Sequence, residues 1–317
     1  MEFDFRAIRS AHERIRPYVK RTPVLTSERI DHASSARLFF KCENFQTIGA
    51  FKARGATNAV FVLDDETARR GVATHSSGNH GTALAWAAAL RGIPAHIVMP
   101  SNSAKVKVRA IESYGGKITF CEPNDASREV ACARVIAATN ATLIHPFENE
   151  NVIAGQGTAA IEMLEDVDAD VVLCPVGGGG LLSGTATAVK HLRPDAKVIG
   201  VEPVNADDAA RSFRAGKRVV TEKKSTIADG LRTNVGERTF PIIQSYVDDI
   251  VTVTEEAIVS AMRTIWERMK IIVEASAAVP YAAIIEGKIS SASGRIGIIL
   301  TGGNVDLEAL PWSHSRL

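Results

Sequence analysis

Short apolar runs alternate with stretches of helical periodicity along most of this chain. A helix is expected over 5–16, after which Pro17 and Pro23 interrupt the pattern. A strand at 37–41 then leads into a helical pattern over 51–63. From there the alternation is regular, with strands at 71–75, 95–99 and 117–121 followed by helices at 82–90, 104–114 and 127–138. It resumes with a helix at 157–164, an apolar strand at 171–176 and a helix ending at His191, then strands at 197–201 and 250–253. Thr254 reads as the cap of the next helix, whose first turn carries Glu255 and Glu256, the charge favoured at that end. A last buried-type strand at 296–300 runs into Thr301-Gly302-Gly303-Asn304.

This rhythm implies an α/β fold with parallel sheets and right-handed crossovers. A chain of 317 residues is long enough for two moderate domains, each with its own core. Hydrophobic residues make up 45% and charged residues 23%, which is ordinary for a globular protein. A net charge of +1 offers no electrostatic footprint for nucleic acid or a membrane surface. No apolar run is long enough to span a bilayer. Met1-Glu2-Phe3-Asp4-Phe5 carries charge where a signal peptide would be apolar. Cys42, Cys121, Cys132 and Cys174 form no C-x-x-C pair. A cytoplasmic, reducing location without a zinc site follows as the expectation.

Five stretches offer chemistry. Lys52 sits in Gly49-Ala50-Phe51-Lys52-Ala53-Arg54-Gly55-Ala56, whose small and apolar neighbours can strip water from the amine. Desolvation disfavours the ammonium and leaves a nucleophile suited to Schiff-base chemistry, although most lysines are solvated surface groups. Gly177-Gly178-Gly179-Gly180 follows a strand and opens a helix, so its backbone N–H groups can converge on a phosphate; a flexible turn is the plainer reading. It is neither a nucleotide P-loop nor a G-x-G-x-x-G dinucleotide fingerprint. Ser76-Ser77-Gly78-Asn79-His80-Gly81 likewise meets a helix N-terminus, as a carboxylate site or a simple cap and turn, and Ser77 could exchange a proton with a substrate carbon opposite Lys52. Glu202 to Asp208 gathers hard oxygen ligands suited to Mg²⁺ or Ca²⁺, or forms a solvated acidic loop. Thr301, at the carboxyl end of a buried strand, could hydrogen-bond a ring nitrogen or end the strand in a turn.

In this order, these motifs resemble the fold-type II pyridoxal-phosphate enzymes, which share the architecture of the tryptophan synthase β subunit. The likeness is strongest to the branch holding serine racemase, serine/threonine dehydratase and 3-hydroxyaspartate ammonia-lyase, and it covers nearly the whole chain. The resemblance implies two domains, each with a mainly parallel twisted sheet flanked by helices: residues 1–65 with 150–317 as a large cofactor-binding domain, and 66–149 as a small domain closing over substrate. It implies that Lys52 carries pyridoxal 5'-phosphate as an internal aldimine, with Phe51 near the ring, Asn79 on the ring hydroxyl and Thr301 on the pyridine nitrogen. The backbone of Gly177, Gly178, Gly179, Gly180 and Leu181 would bind the phosphate. Glu202, the Ala206 carbonyl and Asp208 match the family's divalent-cation site for Mg, Ca or Mn. Some relatives carry Asn where this chain has Phe147.

The activity expected on this basis is β-elimination of a 3-hydroxy amino acid to a 2-oxo acid and ammonia, by a homodimer acting on a small amino acid. Lys52 would remove the Cα proton. Ser76, Ser77, Gly78 and His80 would hold the substrate carboxylate. Arg128 could pair with a second carboxylate, which favours 3-hydroxyaspartate over serine or threonine, or lie on a helix surface. Racemisation is the rival activity, with Ser77 as the acid on the second face. A non-catalytic phosphate-ligand binding protein that kept the glycine loop is the alternative from another class.

Overall fold

The computed structural model of the chain describes residues 3–312, apart from Ser77, Ala104, Lys223, Lys224 and 291–293 and the side chains of Val106 and Asp125. The chain opens with α1 (Phe5–Ile15), β1 (Val24–Leu25), α2 (Glu28–Ser34), β2 (Arg37–Cys42), α3 (Lys52–Phe61) and α4 (Asp65–Arg69). A βα run follows: β3 (Val72–Thr74), α5 (Asn79–Arg91), β4 (Ala95–Pro100), α6 (Lys105–Ser113), β5 (Lys117–Cys121), α7 (Asp125–Thr139) and β6 (Thr142–Leu143). The remainder comprises α8 (Glu150–Asp166), β7 (Val171–Pro175), α9 (Gly180–Leu192), β8 (Lys197–Pro203), α10 (Asp208–Ala215), α11 (Thr239–Tyr246), β9 (Asp249–Val253), α12 (Glu255–Met269), α13 (Ala275–Ile285) and β10 (Arg295–Leu300).

Among the described residues, the strands form two sheets. One has the order β1-β2-β10-β7-β8-β9 and is parallel except for the antiparallel β1–β2 pair. The other has the order β5-β4-β3-β6 and is parallel throughout. β7 and β10 are buried along nearly their whole length, as strands covered by helices on both faces must be. The non-sequential strand order places β10, the last strand, between β2 and β7. That insertion brings Thr301 beside the loop preceding α3 and near the end of β7, where the glycine run begins.

Two helices start earlier than their apolar periodicity suggests. α8 begins at Glu150, its N-cap Asn149 accepting from the amides of Asn151 and Val152. Its glycines are contact points, not breaks. A Cβ on Gly155 would lie 2.6 Å from the Arg54 carbonyl oxygen, and one on Gly157 would lie 2.7 Å from that of Gly184. The missing side chains let α8 pack directly against α3 and α9. α5 begins at Asn79, inside the stretch read as a loop. α13 is apolar all round and carries Pro280 in its interior, so it has no amphipathic stripe to reveal it. α3 stands at the seam between the sheets: Ala53, Ala56, Ala59 and Val60 join the apolar cluster of the four-stranded sheet, while Gly55 abuts α8. No helix among the described residues is long and apolar enough to cross a membrane.

Candidate active site

The loop before α3 is stitched to the end of β10. Phe51 N–H donates to the Thr301 carbonyl at 2.9 Å, Gly303 N–H to the Gly49 carbonyl at 2.9 Å, and Ala50 bridges Gly302 in antiparallel fashion. Asn304 Nδ2 adds a bond to the Ile48 carbonyl at 2.9 Å. Lys52 is thereby fixed at the first turn of α3. Its Nζ donates to the Pro146 carbonyl at 3.0 Å and lies 5.1 Å from the centre of the Phe51 ring. Burial alone pushes its amine down from 10.5 to about 8.

A cleft of about 850 Å³ opens in front of this amine, lined by Phe51, Lys52, Asn79, Gly177–Gly180, Leu181 and Thr301 among others. Gly177–Gly180 joins β7 to α9, whose first N–H groups have no intrahelical acceptor. Gly179 has φ +87°, the left-handed region where a side chain is strained. Added Cβ atoms would fall 2.2 Å from the Phe147 ring at Gly178, 2.8 Å from Thr239 at Gly179 and 3.0 Å from Phe147 Cβ at Gly180. The run is therefore bare backbone beneath Phe147, and the Gly178 carbonyl is taken by Thr239 Oγ1 at 2.7 Å and Gly236 N–H at 3.2 Å. Thr301 is buried at the end of β10.

The opposite wall comes from the four-stranded sheet. Ser76, Gly78 and Asn79 line the cleft where β3 passes into α5, with Gly78 as N-cap of that helix. A Cβ on Gly81 would stand 2.2 Å from the Ser76 carbonyl oxygen, so the turn is closed tightly. The expected site residue Ser77 lies outside the described residues. His80 also borders the cleft, but its imidazole is anchored elsewhere, with Nε2 2.9 Å from the Ile144 carbonyl. Burial, then the Lys52 charge, push it down to about 3, so it is a neutral ring. Any hold it has on an anion comes from the backbone at the first turn of α5. Arg128, on α7, faces the same cleft.

Glu202, Ala206 and Asp208 do not line the cleft. They lie between the end of β8 and the start of α10, Glu202 within the strand, and all are fully buried. Glu202 accepts from the amides of Ala209 (3.2 Å) and Ala210 (2.8 Å), and Asp208 accepts from Val235 N–H (2.7 Å). Val235 belongs to the cleft wall, so this cluster anchors the site from behind.

Several cleft residues escaped sequence reasoning. His145 accepts the amides of Phe147 (3.4 Å) and Glu148 (2.9 Å) on Nδ1, while burial, then the His75 and Lys52 charges, push it down to about 4. Its ring meets His75 edge-to-face at 5.4 Å. Lys107 on α6 and Asp229 in the 3₁₀ turn Asp229–Leu231 form an ion pair of 2.8 Å at the cleft wall. Glu274 is buried beside Asn79. A lone acid in the apolar stretch Ile271-Ile272-Val273-Glu274-Ala275 was the one signal that could have found it.

Known proteins resemble this chain over nearly its whole length. The chain is 49% identical over 305 residues to the beta-hydroxyaspartate dehydratase of Paracoccus denitrificans (strain Pd 1222), covering 96% of this chain and 97% of that one. It is 50% identical over 313 residues to the serine racemase of Oryza sativa subsp. indica, covering 97% and 92%. The solved structure of maize serine racemase superposes with a TM-score of 0.95 at 48% identity, covering 97% of this chain and 95% of that one. The model of the family described as "Pyridoxal-phosphate dependent enzyme" matches residues 15–302. With an amine and a bare glycine run facing one cleft, and that match spanning most of its length, the chain belongs to the pyridoxal-phosphate dependent enzymes.

Proposed function

We propose that this protein is an ammonia-lyase that performs β-elimination on a 3-hydroxy amino acid, namely 3-hydroxyaspartate, L-serine or L-threonine, to give a 2-oxo acid and ammonia. The single observation that carries it is the pairing, across one cleft, of a desolvated lysine with a glycine run whose added side chains would collide with their surroundings. The residues suit pyridoxal phosphate: a partly deprotonated amine for its aldehyde, side-chain-free backbone at a helix start for its phosphate, and a buried hydroxyl on Thr301 for its ring nitrogen. Phe51 and Asn79 border the same space, Asn79 for the ring hydroxyl.

When bound, the cofactor supplies an electron sink that acidifies the substrate's Cα–H. Lys52 would hold the cofactor through Nζ and, once displaced by the substrate amine, would take the Cα proton on that same nitrogen; an amine held near neutrality is suited to both roles. The backbone at Ser76, Gly78 and His80 holds the α-carboxylate at the start of α5. Arg128 pairs with the second carboxylate of 3-hydroxyaspartate, a reading supported by the dehydratase relative. As the Cα electron pair forms the Cα–Cβ double bond, the C–O bond would break and the β-hydroxyl would leave as water with the proton that Lys52 took; tautomerisation and hydrolysis of the resulting enamine give the 2-oxo acid and ammonia. Racemisation is the second reading, favoured by the serine racemase relative, with Ser77 as the acid on the far face.

A substrate panel of 3-hydroxyaspartate, L-serine and L-threonine, scored for ammonia, 2-oxo acid and enantiomer, tests the reading. Ammonia and 2-oxo acid in equal amounts are expected, and Lys52→Ala should abolish both turnover and borohydride-fixable cofactor. Pure enantiomer interconversion, lost in Ser77→Ala, would replace the lyase assignment with the racemase.

A divalent cation (Mg, Ca or Mn) at Glu202, the Ala206 carbonyl and Asp208 belongs to the same reading. Its support is a buried set of hard oxygens behind the cleft wall. Chelation should lower the thermal midpoint and turnover together, and readdition of the ion should restore both; indifference to chelator would remove the cation. We further propose a cytosolic homodimer, divided into a large domain of residues 1–65 and 150–317 and a small one of residues 66–149. Light scattering checks the oligomer.

A further inference from the structure

Glu274 has no part in the chemistry above, yet it is one of the most constrained groups in the cleft. It occupies the N-cap position of α13, but its side chain makes no cap bond and turns instead to Asn79. Both carboxylate oxygens accept from Asn79 Nδ2, at 2.9 and 3.2 Å. On the other side, Asn79 Oδ1 accepts from Asn304 Nδ2 at 2.9 Å, and that same nitrogen is committed to the Ile48 carbonyl. The Asn79 amide thus has one workable orientation: turned over, it would set its oxygen against a carboxylate and its nitrogen against another nitrogen. An amide nitrogen has two hydrogens, and the carboxylate uses one direction of them. The backbone clamps Glu274 as well, its N–H donating to the Gly302 carbonyl at 2.9 Å, while a Cβ on Gly302 would stand 2.7 Å from Glu274 Oε1.

We propose that Glu274 is a positioning residue, fixing the Asn79 amide so that its second N–H faces the ring oxygen of the cofactor. This rests on the reading that Asn79 meets that oxygen. The bonding pattern belongs to the ionised carboxyl. Protonated, it loses its charge and one of its two acceptor oxygens, so proton uptake loosens the clamp. Burial first, then Asp229 from the 3₁₀ turn, push the Glu274 carboxyl up to about 7; Asn79, Lys107 from α6 and the Asn304 N–H oppose them. Glu274 therefore changes charge near neutral pH, and the hold on Asn79 changes with it.

The test compares wild type, Glu274→Gln, Asn79→Ala and the double variant. Glu274→Gln keeps the shape and removes the charge. Pyridoxal-phosphate affinity, the absorbance of bound cofactor between pH 5.5 and 8.5, and the thermal midpoint of cofactor-free protein are recorded for each. In wild type the affinity should fall as pH drops through about 7. In Glu274→Gln the part of that fall centred near 7 should vanish, leaving the fall due to the Lys52 amine near 8, and affinity should be about tenfold weaker, the scale of one lost bond to a charged group. The double variant should bind no more weakly than Asn79→Ala. The cofactor-free wild type should lose stability as pH rises from about 4.5 to about 7, because the folded carboxyl keeps its proton longer than the unfolded one, and Glu274→Gln should not. That thermal signature without any change in cofactor binding would show a buried acid with no positioning role, and would overturn the proposal. Losses that add in the double variant would also overturn it, since Glu274 would then act apart from Asn79. A wild type that forms no borohydride-stable link at Lys52 would sink the functional reading along with it.

Discussion

Lys52 is a stability liability in the cofactor-free protein. In the unfolded chain its amine titrates near 10.5, whereas burial holds it at about 8 in the fold. Between those values the unfolded chain binds a proton that the folded chain has released, so stability of the cofactor-free protein rises with pH across that window. Below about pH 8 both states are protonated and the whole cost of burying the ammonium is present. Lys52→Met keeps the volume and removes the charge. Its advantage over wild type should be largest below pH 8, up to about 3 kcal/mol, and should fade by pH 10.5. Denaturant titration of both proteins at several pH values measures this; a constant difference would mean that the amine is solvated. The residue type and its small neighbours were legible in the sequence. His145, locked by two backbone amides, was not, because nothing in His145-Pro146-Phe147 announces that its ring faces Lys52 from the end of another strand.

The element carrying Lys52 is held by a buried charge network. Arg54, two residues on in α3, donates to both oxygens of Glu43 (2.7 and 2.8 Å) and both of Glu162 (2.8 and 2.6 Å), with all three groups nearly free of solvent. Lys41 completes the set through Glu162 at 2.7 Å and the Thr22 carbonyl at 2.7 Å. Two cations and two anions balance, joining β2, α3 and α8. A paired network of this kind adds little over a well-packed apolar core, but breaking it strands a charge. Arg54→Met should therefore cost about 3–5 kcal/mol of unfolding free energy, read from urea denaturation, and should loosen cofactor retention at Lys52. Loss under 1 kcal/mol would show that the two glutamates find solvent. The sequence pattern located β2, α3 and the alternation after it, since those strands and helices carry distinct periods. It missed α13 and the start of α8, where burial on every side or glycine contacts erase the period.

At the scale of the whole molecule, the cleft is closed by contacts between groups far apart in the chain. One wall carries Lys52, the glycine run and Thr301; the other carries Ser76, Gly78, Asn79 and Arg128 on elements of the four-stranded sheet. Asn79 ties the walls at the depth of the cleft through buried Glu274, at 2.9 Å, and the Lys107–Asp229 pair ties them at a more exposed point, at 2.8 Å. An ion pair this open to solvent contributes at most about 1 kcal/mol and weakens with salt. Its removal should therefore spare global stability while freeing the proposed small domain to move. Lys107→Ala should leave the urea midpoint nearly unchanged, yet speed amide hydrogen exchange in α6 and in the first turn of α5, with the rest of the molecule unaffected. Raising salt in wild type should reproduce part of that acceleration. If exchange in those two segments stays at the wild-type rate, the walls are held by the deep contacts alone, and residues 66–149 do not move as a separate unit in the absence of substrate.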